Sequence, residues 1–314
     1  MHPLNVLVCG TNYGRAYLEA VKLGGASYRL AGILARGSAN SRELAREYGV
    51  PLYICIEDLA LDIELACAAM GTSGFDVVHG LLGRGIHVLC EHPYKPDRLQ
   101  MALDIAGSRS LCFHINGHFA DLEAAAVFIS HCRRESASVP SFIQVMATDR
   151  SLYAALDILR RVLRSFAPFQ FQLTSRLLPF TIIQGVLNGV PCTFHLQQST
   201  EVFPLPDGSP AYLIDHRIAV GFPTGILTLL SMNGPVVWNS NLNCAAHPNL
   251  PLFTMAHEDR TLTSELLWQH RVAANLAAVS TILKSMNERS TPPQQAPEYL
   301  MDVSRARETI GGLL

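Results

Sequence analysis

The stretch Asn5–Val21, NVLVCGTNYGRAYLEAV, decides how the fold is read. After Asn5, VLVC is an apolar, valine-rich run, and NVLVC reads as a buried strand. Gly10 follows, then Thr11, Asn12 and Tyr13, and from Gly14 the apolar residues recur with helical spacing. A strand, a glycine turn and a helix in this order open a dinucleotide-binding unit. The usual fingerprint is G-x-G-x-x-G; here Asn12 stands where the middle glycine is expected. Gly10 permits the tight turn, Gly14 permits close helix packing, and the helix N-terminus can hold a pyrophosphate. The alternative is a strand–turn–helix without a ligand. The turn's place at the head of a series of βαβ units favours the cofactor.

Working outward, YRLAGILA, VPLYI, IELACAAM, IHVLCE and CFHIN read as five further strands separated by helical patterns. One of these helices, SANSRELAREYG, has Ser38 or Asn40 as its cap and Gly49 as its stop. Six strands alternating with helices predict a doubly wound, parallel Rossmann sheet over residues 1–117. Beyond Gly117 two helical patterns precede consecutive strand-like runs from FQFQLTS to PVVWNS, then the long helical pattern LTSELLWQHRVAANLAAVSTILKSM. This grammar predicts an α+β domain over 118–290 with a mixed, largely antiparallel sheet, followed by a linker and C-terminal helix over 291–314.

The 314 residues are 49% hydrophobic and carry a formal net charge of −2 without a basic tract, so nothing electrostatic points to nucleic acid. No apolar run reaches the length of a membrane span, and no export signal precedes the first strand. Eight scattered cysteines without a C-x-x-C pair read as buried reduced thiols, and His247, His257 and His270 share no metal-ligand spacing. A cytoplasmic protein with no metal is expected.

The end of the second strand selects the cofactor. NAD enzymes place a carboxylate there for the ribose hydroxyls. This chain has LARGSANSR instead. Arg36 and Arg42 can pair with a 2′-phosphate, Gly37 keeps the turn open, and Ser38 can donate a hydrogen bond. NADP (as NADPH) is therefore expected over NAD, unless these are plain surface loop residues.

Glu91–Tyr94, EHPY, follows the fifth strand, where the glucose–fructose oxidoreductase and inositol dehydrogenase superfamily carries E-K-P. Together with VLVCGTNYGRAYLEA, LAGILARGSANSR, LLGRGIHVLCEHP, SLYAALDILRRVL, LNGVPCTFHLQQ and NGPVVWN, the chain resembles the thiazolinyl imine reductases of siderophore assembly within that superfamily. The resemblance implies NADPH-dependent reduction of a thiazoline C=N bond to a thiazolidine. It further implies a substrate tethered to a carrier protein of a nonribosomal peptide synthetase, and a homodimer. The sugar dehydrogenases of the superfamily carry D-x-x-x-H, whose His takes the alcohol proton; here Asp157 is present but Arg161 replaces the His.

Imine reduction needs a proton for nitrogen, and His92, in place of the superfamily lysine, is the first candidate acid. The reductases have a tyrosine just after strand six; the matching residue here is Phe119, with His118 beside it as the second candidate. Asn116, Phe119, Tyr153 and Asp157 are expected in the substrate pocket. Glu91 is expected beside the cofactor, supporting the strand-five turn. Two rivals remain: an NADP-dependent sugar or cyclitol dehydrogenase, and a non-catalytic NADP-binding homologue docking on the synthetase.

Overall fold

The computed structural model describes residues 2–135, 139–198, 215–241, 251–257 and 263–314. The chain folds as two units, Met1–His118 with Thr263–Met301, and Phe119–Leu262 with Asp302–Leu314.

The first unit holds a six-stranded parallel sheet built from β1 (Leu4–Cys9), β2 (Tyr28–Leu34), β3 (Leu52–Tyr53), β4 (Leu65–Ala68), β5 (His87–Glu91) and β6 (Phe113–Asn116). Its order is β3-β2-β1-β4-β5-β6, the doubly wound arrangement expected from the alternating pattern. α1 (Gly14–Leu23), α2 (Ala39–Tyr48), α3 (Phe75–Gly83) and α4 (Pro96–Ser108) supply the crossovers. Every residue of β1 is buried, which explains its apolar run from Val6 to Cys9; the buried Asn5 is satisfied by the Asp62 carbonyl and by Arg29. Ser38 is the α2 cap: its side chain accepts from the Ser41 N–H, and Gly49 ends the helix at φ +64°. The outer edge of β6 is covered by Gln295, whose amide exchanges two 2.8 Å hydrogen bonds with the Ile115 backbone.

The second unit holds an eight-stranded mixed sheet: β7 (Phe142–Thr148), β8 (Phe169–Leu177), β9 (Phe180–Leu187), β10 (Val190–Gln197), β11 (His216–Phe222), β12 (Gly225–Leu229), β13 (Val236–Ser240) and β14 (Phe253–His257), in the order β14-β13-β12-β11-β7-β10-β9-β8. Only β7 and β10 run parallel; the other pairings are antiparallel. α5 (Glu123–Glu135) and α6 (Asp149–Leu163) pack on one face of this sheet. α6 is held at its start by a reciprocal cap between Thr148 and Ser151.

One boundary differs from the sequence reading. The long helix α7 (Ser264–Glu288) was expected within the 118–290 domain, but it packs on α1, and Val279 and Ile282 join the core of the parallel sheet. Its apolar stripe finds the α1 face unoccupied, and a helix buries where apolar area is available, not where it lies in the chain. The C-terminal helix α8 (Pro297–Gly311) begins in the first unit's residues and ends in the second's, where Asp302 pairs with Arg160 at 2.9 Å and Arg307 with Asp149 at 2.7 Å. Seven cysteines are free thiols, five of them buried; Cys244 and His247 lie outside the described residues. Among the described residues no helix is long and apolar enough to cross a membrane, and no group of three His, Cys, Asp or Glu is arranged to hold a metal ion.

Candidate active site

In an open α/β sheet, ligands bind beyond the carboxyl ends of the strands. At that end of β1, Gly10 has φ +94°, and a Cβ there would fall 2.5 Å from the Ala69 carbonyl oxygen. Only glycine fits, and the turn it makes leaves the backbone exposed for close approach. A Cβ on Gly14 already sits 3.3 Å from Val8, so α1 lies against the strand as the fingerprint requires. Neither α1 nor α2 has an acidic residue in its first turn, and no side chain caps α1. Both helix starts therefore keep an electropositive character suited to phosphate. Thr11 and Tyr13 are half-buried and Asn12 is exposed along the turn.

After β2, Arg36, Ser38 and Arg42 are exposed, and Arg42 Nη2 lies 3.9 Å from the position of a Cβ on Gly37. Neither Arg36 nor Arg42 forms an ion pair among the described residues. Arg15, which the sequence reading passed over, reaches from the first turn of α1 to Asn40 Oδ1 at 3.3 Å in the first turn of α2. Its signal was its place directly after Gly14. The exposed guanidiniums and the Gly10 cradle fit a phosphorylated dinucleotide.

At the ends of β5 and β6 the chain assembles a hydrogen-bonded cluster. The Tyr17 hydroxyl donates to Glu91 Oε1. Asn116 Nδ2 lies within reach of Tyr17 Oη (2.6 Å), Glu91 Oε1 (2.8 Å) and Asn275 Oδ1 (2.7 Å), and Asn116 Oδ1 accepts from the His118 N–H at 3.2 Å. Asn275 Nδ2 donates to Tyr13 Oη at 3.4 Å, and that oxygen lies 2.9 Å from His118 Nε2. The Tyr13 and His118 rings stack with centroids 5.9 Å apart. Tyr17, Asn116, His118 and Asn275 are buried, whereas Tyr13, Glu91 and His92 keep some exposed surface.

These surroundings set the protonation states. Glu91's carboxyl is the enclosed part of its residue; desolvation pushes it up from 4.5 to about 7, against the opposing hydrogen bonds from Tyr17 and Asn116. Desolvation, and then the fields of His92 and Arg271, push His118 from 6.5 down to about 3. Burial, reinforced by Glu91, raises Tyr13, so its hydroxyl keeps its proton.

The cluster gives these residues particular parts. His118 is neutral at physiological pH and cannot store a proton as an imidazolium. Asn116 is buried with its amide engaged on both sides, so it braces the cluster. Glu91 Oε1 accepts from Tyr17 and Asn116, so this half of the carboxyl is engaged inside the cluster. Asn275 and Arg271, both on α7, were missed, because α7 was read as belonging elsewhere.

The second unit holds the remaining candidates. Tyr153 and Asp157 are buried on α6, and Phe119 is half-buried. Arg161 reaches Asp157 Oδ2 at 3.3 Å and forms a second ion pair with Asp121. The residue standing where an alcohol-activating His would be is thus a cation bridging two carboxylates. Such an ion pair cannot accept a proton from an alcohol.

Residues 4–117 match the model of GFO/IDH/MocA, an oxidoreductase family with an NAD-binding Rossmann fold. Residues 138–239 match the C-terminal domain of Irp3-like thiazolinyl imine reductases. The chain joins a GFO/IDH/MocA Rossmann domain to an Irp3-like reductase C-terminal domain. No curated protein sequence matches it. Among solved structures the GFO/IDH/MocA–Irp3-like chain is similar in fold to levoglucosan dehydrogenase in its apo form (TM-score 0.75, 11% identity, covering 100% of this chain and 97% of that one). It is also similar to GenD2 from gentamicin A biosynthesis in complex with NAD (0.72, 12%, 100% and 94%). A third is the UDP-N-acetylglucosamine 3-dehydrogenase GnnA from Acidithiobacillus ferrooxidans (0.71, 13%, 100% and 98%). At these identities the likeness is one of fold.

Proposed function

We propose that this oxidoreductase reduces a thiazoline C=N bond to a thiazolidine with NADPH, on an intermediate carried by a nonribosomal peptide synthetase. The observation that carries this reading is Arg161. Its double ion pair with Asp157 and Asp121 leaves the dehydrogenase base position without a base, while the second unit's sequence matches imine reductases. Gly10, Thr11, Asn12, Tyr13 and Gly14 would cradle the pyrophosphate, and Arg15, Arg36, Gly37, Ser38 and Arg42 the 2′-phosphate. The cofactor supplies a hydride. The chain supplies the proton for nitrogen at the rim of β5 and β6, where His92 is one candidate donor.

The test is NADPH oxidation with a carrier-tethered thiazoline, with the product gaining two hydrogens by mass spectrometry. Turnover of polyols and not of the thiazoline would move the protein to the sugar dehydrogenases. Tight NADPH binding with no turnover of either would make it a non-catalytic homologue that docks on the synthetase.

We further propose a homodimer through the open face of the second sheet. Strands β7–β13 contain no Asp or Glu. On the face away from α5 and α6, Gln144, Thr193, Gln184 and Gln172 stand in one register row across four strands. A cavity of about 520 Å³ opens along that row. A neutral row of three amides and a hydroxyl can meet its own copy without charge repulsion. Sedimentation of the purified chain decides this.

A further inference from the structure

The proton donor follows from the hydrogen-bonded cluster, given the imine-reductase reading on which this inference rests. β1 and β6 are separated by β4 and β5. At about 4.8 Å per strand, their ends stand roughly 14 Å apart. Tyr13 starts in the turn after β1, yet its hydroxyl meets His118, just past β6, at 2.9 Å. The phenol therefore spans the carboxyl ends of β4 and β5, across the crevice where this fold binds ligands. It is half-buried, whereas the tyrosine, asparagines and histidine behind it are closed to solvent.

We infer that the Tyr13 hydroxyl, backed by His118, hands the proton to the substrate nitrogen. The other members of the cluster are unsuited. Tyr17 and Asn116 are engaged inward. His118 is neutral and closed to solvent, so its part is to hold the phenol through Nε2.

The step balances. The C=N carbon takes a hydride, the π pair moves to nitrogen, and nitrogen takes the proton from Tyr13 Oη; NADPH, the hydride source, ends as NADP+. The phenolate left behind is supported by the Asn275 Nδ2 donor and by the positive field of Arg271. The phenol oxygen, on the partly exposed residue, then takes a proton back from solvent, with the His118 Nε2–H and Asn275 Nδ2 still donating to it. Tyr13, placed by its sequence as a cofactor-turn residue, thus acquires a catalytic part, with His118, Asn275 and Arg271 as positioning residues.

The test compares Tyr13→Phe, His92→Ala and His118→Gln in the full-length protein. Tyr13→Phe should lower thiazoline turnover at saturating NADPH by about 10²–10³, a loss that no change in cofactor affinity, read separately by fluorescence titration, accounts for. His118→Gln should cost less, because an amide still bonds the phenol. The parent rate should stay level from about pH 6 to 9, since a raised tyrosine keeps its proton there, whereas an imidazolium donor loses it across neutral pH.

A readout independent of turnover is the histidine ¹⁵N spectrum of the apoprotein, in which Tyr13→Phe should shift the His118 Nε2 resonance. The assignment is overturned if Tyr13→Phe turns over at the parent rate, if the His118 resonance does not move, or if His92→Ala alone abolishes turnover. If the parent reduces no thiazoline at all, the reductase reading itself fails and the assignment falls with it.

Discussion

Glu91 offers the sharpest physical test of the first unit. Its carboxyl titrates at about 7 in the folded chain against 4.5 in the free side chain, because desolvation outweighs the hydrogen bonds from Tyr17 and Asn116. The folded state thus holds this proton more tightly than the unfolded state. The resulting stability is present in full below about pH 4.5 and is lost as pH rises through about 7. A shift of that size corresponds to roughly 3 kcal/mol. His118, His114 and His216 act in the opposite sense. Burial lowers them to about 3, 4 and 4, so their contribution is present above 6.5 and lost as pH falls through those values. The parent's own pH profile is the sum of all these groups. Glu91→Gln keeps both hydrogen bonds at Oε1 and removes only the ionisation, so the difference between the two proteins isolates Glu91. The chain has two tryptophans, Trp238 in β13 and Trp268 in α7. In a Trp238→Phe background, Trp268 fluorescence reports the first unit alone. Urea unfolding from pH 5 to 8 should show Glu91→Gln gaining on the parent by roughly 2–3 kcal/mol as pH rises. Parallel profiles with a constant offset would refute the account, since they would mean that Glu91 titrates alike in both states.

Three further outcomes are expected. Arg36→Ala should erase most of a preference for NADPH over NADH of about tenfold or more, and Arg15→Ala should weaken NADPH binding while leaving NADH nearly unaffected; fluorescence titration with both cofactors measures this. Arg161→His should create no polyol oxidation and should destabilise the second unit by about 3 kcal/mol at pH 8, because buried Asp157 loses its partner cation; denaturation followed through Trp238 reads it. Thr193→Glu should convert the proposed dimer to a monomer by sedimentation without changing the far-ultraviolet spectrum, because the substitution places two carboxylates at a self-paired row.

The parallel sheet was legible because its physics is local: short, largely apolar runs bounded by turn residues and alternating with helical patterns read as strands covered on both faces, and Gly10, Gly14, Ser38 and Gly49 announce their own backbone roles. The mixed sheet was legible as strands for the same reason, apart from β14, a short edge strand bordered by residues outside the described set. The rim cluster was not legible, because its members are far apart in the chain: Asn116 meets Asn275 across 159 positions and Tyr13 meets Asn275 across 262. One signal was nonetheless present. The buried stripe of α7 runs Val272, Asn275, Val279, Ile282, Ser285. An asparagine at the centre of an apolar stripe contradicts the helix's own pattern, and a buried amide persists only where partners satisfy it. That contradiction is a demand for polar partners, which sets Asn275 against another polar rim, and the rim nearest the cofactor turn is where Asn116 and Tyr13 stand. The same logic separates Arg161 from a surface arginine. Four residues after Asp157 on an amphipathic helix, it shares a helix face with a carboxylate flanked by Leu156 and Ile158, a spacing that permits the ion pair the structure shows.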